Sequence, residues 1–302
     1  MFKLCASAAG CMLLVSASAQ AACEKVEHEP VDLTEYYADT VGRTGDELKE
    51  SLNEIIKGHQ AYSYTPCVWA ILKEADEDPA NSANIVAFYT GRSIPKSRQD
   101  TGSGDQDSWN REHTWPKSKG FPSKGQDAHT DAHHIRPADR SVNTDRSNND
   151  YANGGEPDDE CTGCREGDGT WEPPDAVKGD AARMMFYLVV RYEGNDQSGT
   201  PDLELVDRLT HTGEPHLGKL CTLVAWHGFD PVSADERRRN DVIQSWQGNR
   251  NPFIDHPEFV QAIWGEECGI GPDDTLREEL LNRLERMESE INELRTIIEE
   301  RM

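Results

Sequence analysis

A strongly apolar segment lies between Ala181 and Tyr192 in the second half of the chain. Its apolar side chains leave little room for a polar stripe, which is typical of a helix buried on every face. We therefore predict a central buried helix here, with Asp180 as its N-cap and Gly194 ending it. Apolar spacing also predicts helix over residues 22 to about 60 and over residues 217–227, 241–246 and 257–264.

Polar segments rich in glycine separate these helices. Residues 85–90 predict a short strand, whereas the acidic residues 74–84 before it predict a loop. Residues 97–108 predict a flexible connection into the region that holds most of the candidate chemistry. Residues 147–174 combine glycine, asparagine, aspartate and proline with two cysteines, so we predict a long surface loop held by a disulfide.

The C-terminal tail has a different pattern. Thr275 and Glu278 form a capping-box signature at the beginning of an uninterrupted helix. Its apolar positions alternate at spacings of four and three, which is the seam of a coiled coil. These positions are Leu280, Leu284, Met287, Ile291, Leu294 and Ile298. Either a helix packed on its own domain or an oligomer satisfies the pattern. The strict spacing favours a homo-oligomer through residues 275–301, of a size that the seam does not fix.

The N-terminus has the pattern of a secretory leader. Lys3 precedes an apolar stretch from Leu4 to Val15, and small residues up to Ala21 supply a cleavage site. We predict that residues 1–21 are a signal peptide and that the protein is secreted or periplasmic. No apolar run reaches the roughly 18 residues that a membrane span needs, so no membrane association is predicted.

Six of the eight cysteines follow this leader. An even number of cysteines in an exported protein predicts disulfides, and the sequence leaves their pairing open. Cys161 and Cys164 stand close enough for a local bridge. Zinc binding by this pair would need a second pair of ligands nearby, and the sequence offers none.

The net charge of −25, from 31 basic and 56 acidic residues, is unusual for a protein that acts on a polyanion. Residues 110–146 reverse the balance, because they hold seven basic and five acidic side chains. A local positive potential in a cleft can attract a polyanion that the rest of the surface repels. The charge therefore does not exclude a nucleic-acid substrate.

Most of the candidate chemistry lies between residues 109 and 148, where histidines, carboxylates and arginines alternate. Phosphodiester hydrolysis needs a base for water, a cation for the phosphate charge and guanidinium groups for orientation. We predict His113 as the base and Glu112 and Asn143 as oxygen ligands of Mg²⁺. The predicted phosphate contacts are Arg111, Arg136, Arg140 and Arg146, and further nucleic-acid contacts are Lys117 and Asn148.

Three long motifs, in this order, resemble the bacterial endonuclease I family. They are residues 110–118 (NREHTWPKS), residues 130–139 (TDAHHIRPAD) with Val142-Asn143, and residues 247–259 (QGNRNPFIDHPEF). Residues 178–183 are similar too, and the resemblance covers about residues 40–265. Members of this family are secreted or periplasmic non-specific nucleases of the ββα-metal superfamily.

The resemblance implies a strand with the Arg-Glu-His triplet and a following helix with Asn143. It also implies that Glu112 and Asn143 hold Mg²⁺, for which Mn²⁺ or Ca²⁺ can substitute, and that His113 is the general base. His134 receives a supporting catalytic role, because many members of the wider superfamily have asparagine at the corresponding position.

These observations predict an α+β fold: a mainly helical domain with a small sheet and a ββα-metal finger, followed by a C-terminal coiled-coil helix. The predicted division is a signal peptide over residues 1–21, a catalytic domain over 22–268, and a linker with the coiled coil over 269–302. The predicted function is a secreted, metal-dependent endonuclease that cuts DNA, and also RNA, without base specificity and leaves 5′-phosphate ends.

Three alternatives stay open on the sequence alone. The protein is primarily an extracellular ribonuclease of the same family, or it is a zinc-dependent hydrolase that uses His129 and His133, four residues apart. The third alternative is a non-catalytic extracellular oligomer, in which the coiled coil is the main feature.

Overall fold

The computed structural model describes residues 23–102 and 105–270, so the predicted leader and coiled-coil helix lie outside the described residues. The helices in these ranges are α1 (Leu33–Tyr36), α2 (Gly45–Ile56), α3 (Cys67–Ala75), α4 (Arg140–Arg146), α5 (Lys178–Arg191), α6 (Leu220–Phe229), α7 (Ala234–Gln247), α8 (Pro252–Asp255) and α9 (Glu258–Trp264). The strands are β1 (Glu77–Asp78), β2 (Asn81–Val86), β3 (Ser93–Pro95), β4 (Trp109–His113), β5 (Ile135–Asp139), β6 (Asp150–Tyr151), β7 (Glu156–Pro157), β8 (Arg165–Gly167), β9 (Thr170–Glu172), β10 (Glu204–Leu205) and β11 (His216–Leu217). The predicted α+β class is confirmed.

Helix α5 is the predicted central helix, and every one of its residues except Asp180 is buried. It packs against α2, α6 and α8 in the main core. The predicted N-cap is wrong, because α5 begins at Lys178 and Asp180 lies in its first turn. The Asp180 carboxylate instead lies 3.4 Å from the Arg136 guanidinium. The helix ends at Arg191, before Gly194 turns the chain with a φ of 67°.

Helix α7 is longer than the predicted segment over residues 241–246. It begins at a capping box, in which the Glu236 amide donates to the Ser233 hydroxyl and the Ser233 amide donates to the Glu236 carboxylate. It ends at Gly248, whose φ of 84° suits a left-handed C-cap. Its first turns are strongly polar, and apolar spacing alone did not reveal them. The prediction of helix over residues 22–60 is wrong in extent, because only α1, a 3₁₀ turn over Ala38–Thr40 and α2 are helical among the described residues of this range.

The strands form four small sheets in the described part of the chain. Strands β1, β2 and β3 make an antiparallel sheet, β4 and β5 an antiparallel pair, and β10 and β11 a parallel pair. The fourth sheet has the strand order β6-β9-β8-β7.

Two segments that we predicted as loops contain strands. Residues 74–84 include β1 and the exposed beginning of β2, so the strand predicted over 85–90 starts earlier and ends at Val86. Residues 147–174 contain β6 to β9, each two or three residues long. Strands this short show no alternation of apolar residues, because backbone pairing alone defines them.

Three disulfides join the six cysteines of the described chain: Cys23–Cys67, Cys161–Cys164 and Cys221–Cys268. The predicted local bridge is confirmed. The other two bridges tie the N-terminal segment to α3 and tie α6 to the residues after α9. Among the described residues, we find no helix with the length and apolar character that crossing a bilayer requires.

Strands β4 and β5 and helix α4 form one unit, in which α4 follows β5 directly. The register places Glu112 opposite Arg136 and His113 opposite Ile135. Side chains alternate along a strand, so Arg111 and His113 point to one face and Glu112 to the other. Helix α4 packs against both strands and brings Asn143 to the edge of β4.

Candidate active site

A cleft of about 330 Å³ opens along β4 and the loop after α4. Tyr64 and Trp69 close one side of it, and Asn110 lies at its edge. Six of the ten predicted site residues line this cleft: Arg111, Glu112, His113, Lys117, Asn143 and Asn148. Four segments that are separate in sequence therefore meet at one place.

His113 is held as a neutral imidazole with one nitrogen free. Its Nε2 lies 3.0 Å from the carbonyl oxygen of His129. A carbonyl only accepts hydrogen bonds, so Nε2 carries the proton and Nδ1 keeps its lone pair. Burial, followed by the neighbouring His134, lowers the pKa of His113 well below its usual range, so the imidazole is uncharged at neutral pH. Nδ1 makes no hydrogen bond to any described residue, and the protein does not enclose it.

Glu112 is only 2% exposed, and its two carboxylate oxygens have different surroundings. Oε1 accepts the hydroxyl of Tyr89 at 2.8 Å and lies 3.3 Å from Nε of Arg146. Burial raises the pKa of Glu112 to about 7, although Arg146 and the Tyr89 hydroxyl oppose this shift. No described residue donates a hydrogen bond to Oε2, the protein does not enclose this oxygen, and Glu112 lines the cleft.

The Asn143 side-chain amide also has one atom that is hydrogen-bonded and one that is not bonded to any described residue. Its Nδ2 donates to Oδ1 of Asn110 at 2.7 Å. This bond fixes the orientation of the Asn143 amide and leaves its carbonyl oxygen unpaired within the described part of the chain. Asn110 was not among the predicted site residues, although it lies in the same motif as Glu112.

The donor set fits Mg²⁺. Glu112 Oε2 and the Asn143 amide oxygen are both unpaired oxygens that border one cleft. Mg²⁺ prefers oxygen ligands and keeps several of its waters, so two protein ligands suffice. The bond from Tyr89 to Glu112 and the bond from Asn143 to Asn110 leave these two oxygens available.

Arg111 is held flat between aromatic rings. The centre of its guanidinium lies 3.4 Å from the Tyr64 ring centre and 4.1 Å from that of Trp69. It donates to the backbone carbonyl of Tyr64 and to the Thr65 hydroxyl. It forms an ion pair with no carboxylate of the described residues, so its charge stays available for an anionic ligand. Burial lowers its pKa to about 10, and it remains charged at neutral pH.

The other three predicted arginines lie outside the lining of the cleft. Arg136 lies 2.9 Å from Asp76 and 3.4 Å from Asp180. Arg140 lies 3.0 Å from Asp100. Arg146 is fully buried behind Glu112 and donates to the backbone carbonyl of Thr114. These positions do not favour phosphate contacts, because carboxylates already neutralise each of the three guanidinium groups.

His134 lies behind His113 rather than in the cleft. It is fully buried, its Nε2 lies 2.7 Å from the Ala128 carbonyl, and its ring centre lies 5.5 Å from that of His113. A role for His134 is therefore limited to packing and orientation of the base.

The arrangement of His129 and His133 does not fit the zinc alternative. His129 ends a short 3₁₀ turn, so the two residues do not share a helix face. The His129 ring bonds the Phe121 carbonyl, and the His133 ring bonds the Asn249 carbonyl. The described residues contain no group of three or more histidine, cysteine, aspartate or glutamate side chains that could hold a metal ion.

A buried carboxylate supports the loop behind the base. Asp131 accepts the hydroxyls of Tyr187 and Tyr192, at 2.7 and 2.9 Å, and the Gln247 side-chain amide at 3.0 Å. These bonds attach the loop before β5, whose His129 carbonyl orients His113, to helices α5 and α7. The third sequence motif, which begins at Gln247, thus acts as a structural support of the site.

Comparisons with known proteins agree with this geometry. The endonuclease I family model matches residues 44–258. An extracellular ribonuclease of Bacillus amyloliquefaciens is 48% identical over 234 residues, which are 77% of this chain and 79% of that protein. An extracellular ribonuclease of Bacillus subtilis (strain 168) is 45% identical over 263 residues, which are 87% of each chain.

The fold, the cleft and these matches define a nuclease, a hydrolase of nucleic acids. The chain belongs to the endonuclease I family. The resemblance drawn from the sequence motifs is therefore confirmed.

Proposed function

We propose that this nuclease is an exported, Mg²⁺-dependent endonuclease that cuts RNA and DNA through backbone contacts and leaves 5′-phosphate and 3′-hydroxyl ends. The single observation that carries the proposal is the meeting of three unpaired groups in one cleft: His113 Nδ1, Glu112 Oε2 and the amide oxygen of Asn143. We take β4, β5 and α4 as a ββα-metal finger on the same ground.

His113 removes the proton from the attacking water. Its Nδ1 is the only ring nitrogen with a free lone pair, because Nε2 donates to the His129 carbonyl. The water oxygen bonds to phosphorus as the bond from phosphorus to the 3′ oxygen breaks, which leaves the phosphate on the 5′ end. An ion held by Glu112 and Asn143 would neutralise charge on the phosphate and on the departing oxygen.

Arg111 is the residue that we assign to the phosphate. Its planar guanidinium can present two parallel N–H groups to one phosphate, and Tyr64 and Trp69 keep it in place. Lys117 is exposed and lies at the mouth of the cleft, and we assign it, with Asn148, to the flanking backbone. None of these contacts reads a base, so little sequence preference is expected.

The choice between RNA and DNA rests on the mechanism. Water is the nucleophile in this proposal, so the ribose 2′-hydroxyl takes no part and both polymers are substrates. The names of the two Bacillus relatives make RNA the substrate to test first. Plasmid DNA, RNA and fully 2′-O-methylated RNA are incubated with Mg²⁺ or with EDTA. We expect all three to be cut with Mg²⁺ and none with EDTA.

The chemistry of the RNA ends provides the decisive result. Mass spectrometry is expected to find 5′-phosphate and 3′-hydroxyl ends. A 2′,3′-cyclic phosphate, or intact 2′-O-methylated RNA beside cleaved ordinary RNA, would overturn the proposed mechanism. Cleavage of all substrates in EDTA would overturn the metal dependence alone.

The metal ligands are tested by Glu112→Gln and Asn143→Ala. Changes in the surroundings of metal ligands typically cost about 10–100-fold in metal affinity or activity, and loss of a ligand itself costs at least as much. We therefore expect each variant to need at least about tenfold more Mg²⁺ for half-maximal cleavage. Unchanged Mg²⁺ titrations in both variants would exclude these two residues as ligands.

Arg111→Lys tests the phosphate contact. Lysine keeps the charge but loses the planar fork and the stacking on Tyr64 and Trp69. We expect kcat/KM to fall about 100-fold, with an unchanged Mg²⁺ requirement. Arg208→Lys is the matched control, because Arg208 makes a two-point pair with Glu214 outside the cleft. Wild-type kinetics of Arg111→Lys would remove Arg111 from the site.

Export and self-association complete the proposal. The leader pattern over residues 1–21, the three disulfides and the names of the extracellular relatives all support export. The heptad pattern supports a homo-oligomer through residues 275–301, which would place several catalytic domains on one assembly.

A further inference from the structure

A chain of buried hydroxyl groups lies behind Glu112, on the side away from the cleft. The Tyr89 hydroxyl lies 2.8 Å from Oε1 of Glu112, and the Tyr151 hydroxyl lies 2.9 Å from the Tyr89 hydroxyl. Neither tyrosine lines the cleft. Both are at most 3% exposed, so no water competes for their hydrogen bonds.

The donor direction of these two hydrogen bonds follows from the Glu112 carboxylate at which they end. A carboxylate only accepts hydrogen bonds, so the Tyr89 proton points to Glu112. The Tyr89 oxygen is then free to accept, and the Tyr151 hydroxyl is the donor that faces it. Aligned hydrogen bonds of this kind strengthen one another in a medium of low dielectric constant.

Further contacts hold both tyrosines of this hydrogen-bonded row in place. The Tyr151 amide donates to the Gly218 carbonyl at 3.0 Å, and its carbonyl accepts the Lys219 amide at 2.9 Å. The Tyr89 ring packs edge-on against Trp171, with 5.5 Å between ring centres. The Arg146 guanidinium adds a fixed positive charge beside the same oxygen, because its Nε lies 3.3 Å from Oε1 without donating a hydrogen bond to it.

The consequence is that the two oxygens of Glu112 differ, because the Tyr89 hydroxyl occupies Oε1. With the Tyr89 hydroxyl on Oε1 and the Arg146 charge beside it, Oε2 is the oxygen left for a cation in the cleft, and rotation of the carboxylate would break the bond from Tyr89. We propose that Tyr89, backed by Tyr151, is a positioning residue that holds Glu112 for one-oxygen coordination of the divalent ion. This inference rests on the proposed metal role of Glu112.

The test measures metal binding without substrate. Mn²⁺ is titrated into wild type, Tyr89→Phe, Tyr151→Phe and Glu112→Gln, and the free ion is followed by electron paramagnetic resonance. Partners that orient metal ligands are typically worth about 10–100-fold in metal affinity. We expect Tyr89→Phe to weaken Mn²⁺ binding about tenfold. Tyr151→Phe should have a smaller effect in the same direction, because it removes only the outer bond of the chain.

Tyr37→Phe is the matched control. Tyr37 is also buried, and its hydroxyl donates to the Asp255 carboxylate at 2.7 Å, outside the cleft. We expect this variant to bind Mn²⁺ like wild type, although it also loses a buried hydrogen bond. Raising Mg²⁺ should restore most of the activity of Tyr89→Phe, with an unchanged KM for RNA.

The outcomes separate this inference from the proposed function. If Glu112→Gln weakens Mn²⁺ binding and Tyr89→Phe does not, the positioning role is overturned and the metal site stands. If high Mg²⁺ does not restore activity to Tyr89→Phe, the role is also overturned, because the defect is then purely structural. If wild type binds no Mn²⁺, the inference falls together with the metal site. Should Tyr89→Phe fail to fold, the same criteria apply to Tyr151→Phe.

Discussion

Replacing His113 with alanine is expected to lower kcat by about three orders of magnitude, because a positioned general base contributes about 10²–10⁴-fold. The fold should persist, since Asp131 independently holds the loop behind His113. The variant loses one hydrogen bond and the four ring contacts of His113, which are with Tyr64, Phe121, His129 and His134. Single-turnover cleavage of RNA at saturating Mg²⁺ measures the chemical step without interference from product release.

Three further measurements show whether the loss reflects the base. Thermal melting of His113→Ala should stay within a few degrees of wild type, and Mn²⁺ binding should be unchanged. Added imidazole should restore part of the rate, because it can occupy the space of the missing ring. His227→Ala is a matched control: its Nε2 also bonds a backbone carbonyl, that of Pro257 at 2.9 Å, outside the cleft. A wild-type rate in His113→Ala would remove the base from the mechanism.

The sequence was most informative where several functional groups share one short segment. Arg111, Glu112 and His113 are consecutive in β4 and all line the same cleft, although Glu112 points to the opposite face of the strand from the other two. Asn143 follows four residues after β5 ends, so a single turn of helix places it beside them. Local geometry therefore determines the centre of the site.

The roles of the arginines could not be predicted in the same way. Arg111 and Arg136 look equivalent in the sequence, since each stands in one of the motifs that resemble the family. Arg136 is neutralised by Asp76 and Asp180, which lie 60 and 44 residues away. Only the tertiary structure shows which guanidinium group has a carboxylate partner.

The sequence did not reveal Tyr89 and Tyr151, the two residues that we propose to orient Glu112, for a similar reason. Tyr89 and Tyr151 lie 23 residues before and 39 residues after Glu112, and each stands in a segment without a catalytic motif. Tyr89 stands in an apolar segment, where tyrosine normally indicates a core residue, and Tyr151 stands in a segment predicted as a surface loop. Both lie in the main core. Their hydroxyl groups become relevant only because the fold points them at a buried carboxylate.

Arg146→Met is expected to lower the free energy of unfolding by about 3–5 kcal/mol, because it leaves a buried charge without its partner. Arg146 is fully buried, lies 3.3 Å from Glu112 and donates to the backbone carbonyl of Thr114. Methionine fills most of the volume but replaces none of these interactions. Chemical denaturation followed by circular dichroism measures the loss.

The double variant Glu112→Gln/Arg146→Met distinguishes a structural ion pair from a phosphate contact. Removing both charges should recover much of the stability that Arg146→Met loses, because replacing a whole buried pair costs far less than breaking it.

RNA binding, measured in the His113→Ala background, should keep its salt dependence in Arg146→Met. By contrast, Lys117→Ala should reduce the slope of log K against log salt by about one, because it removes a phosphate contact. A stable Arg146→Met with a reduced salt slope would instead assign Arg146 to the nucleic acid, as the sequence first predicted.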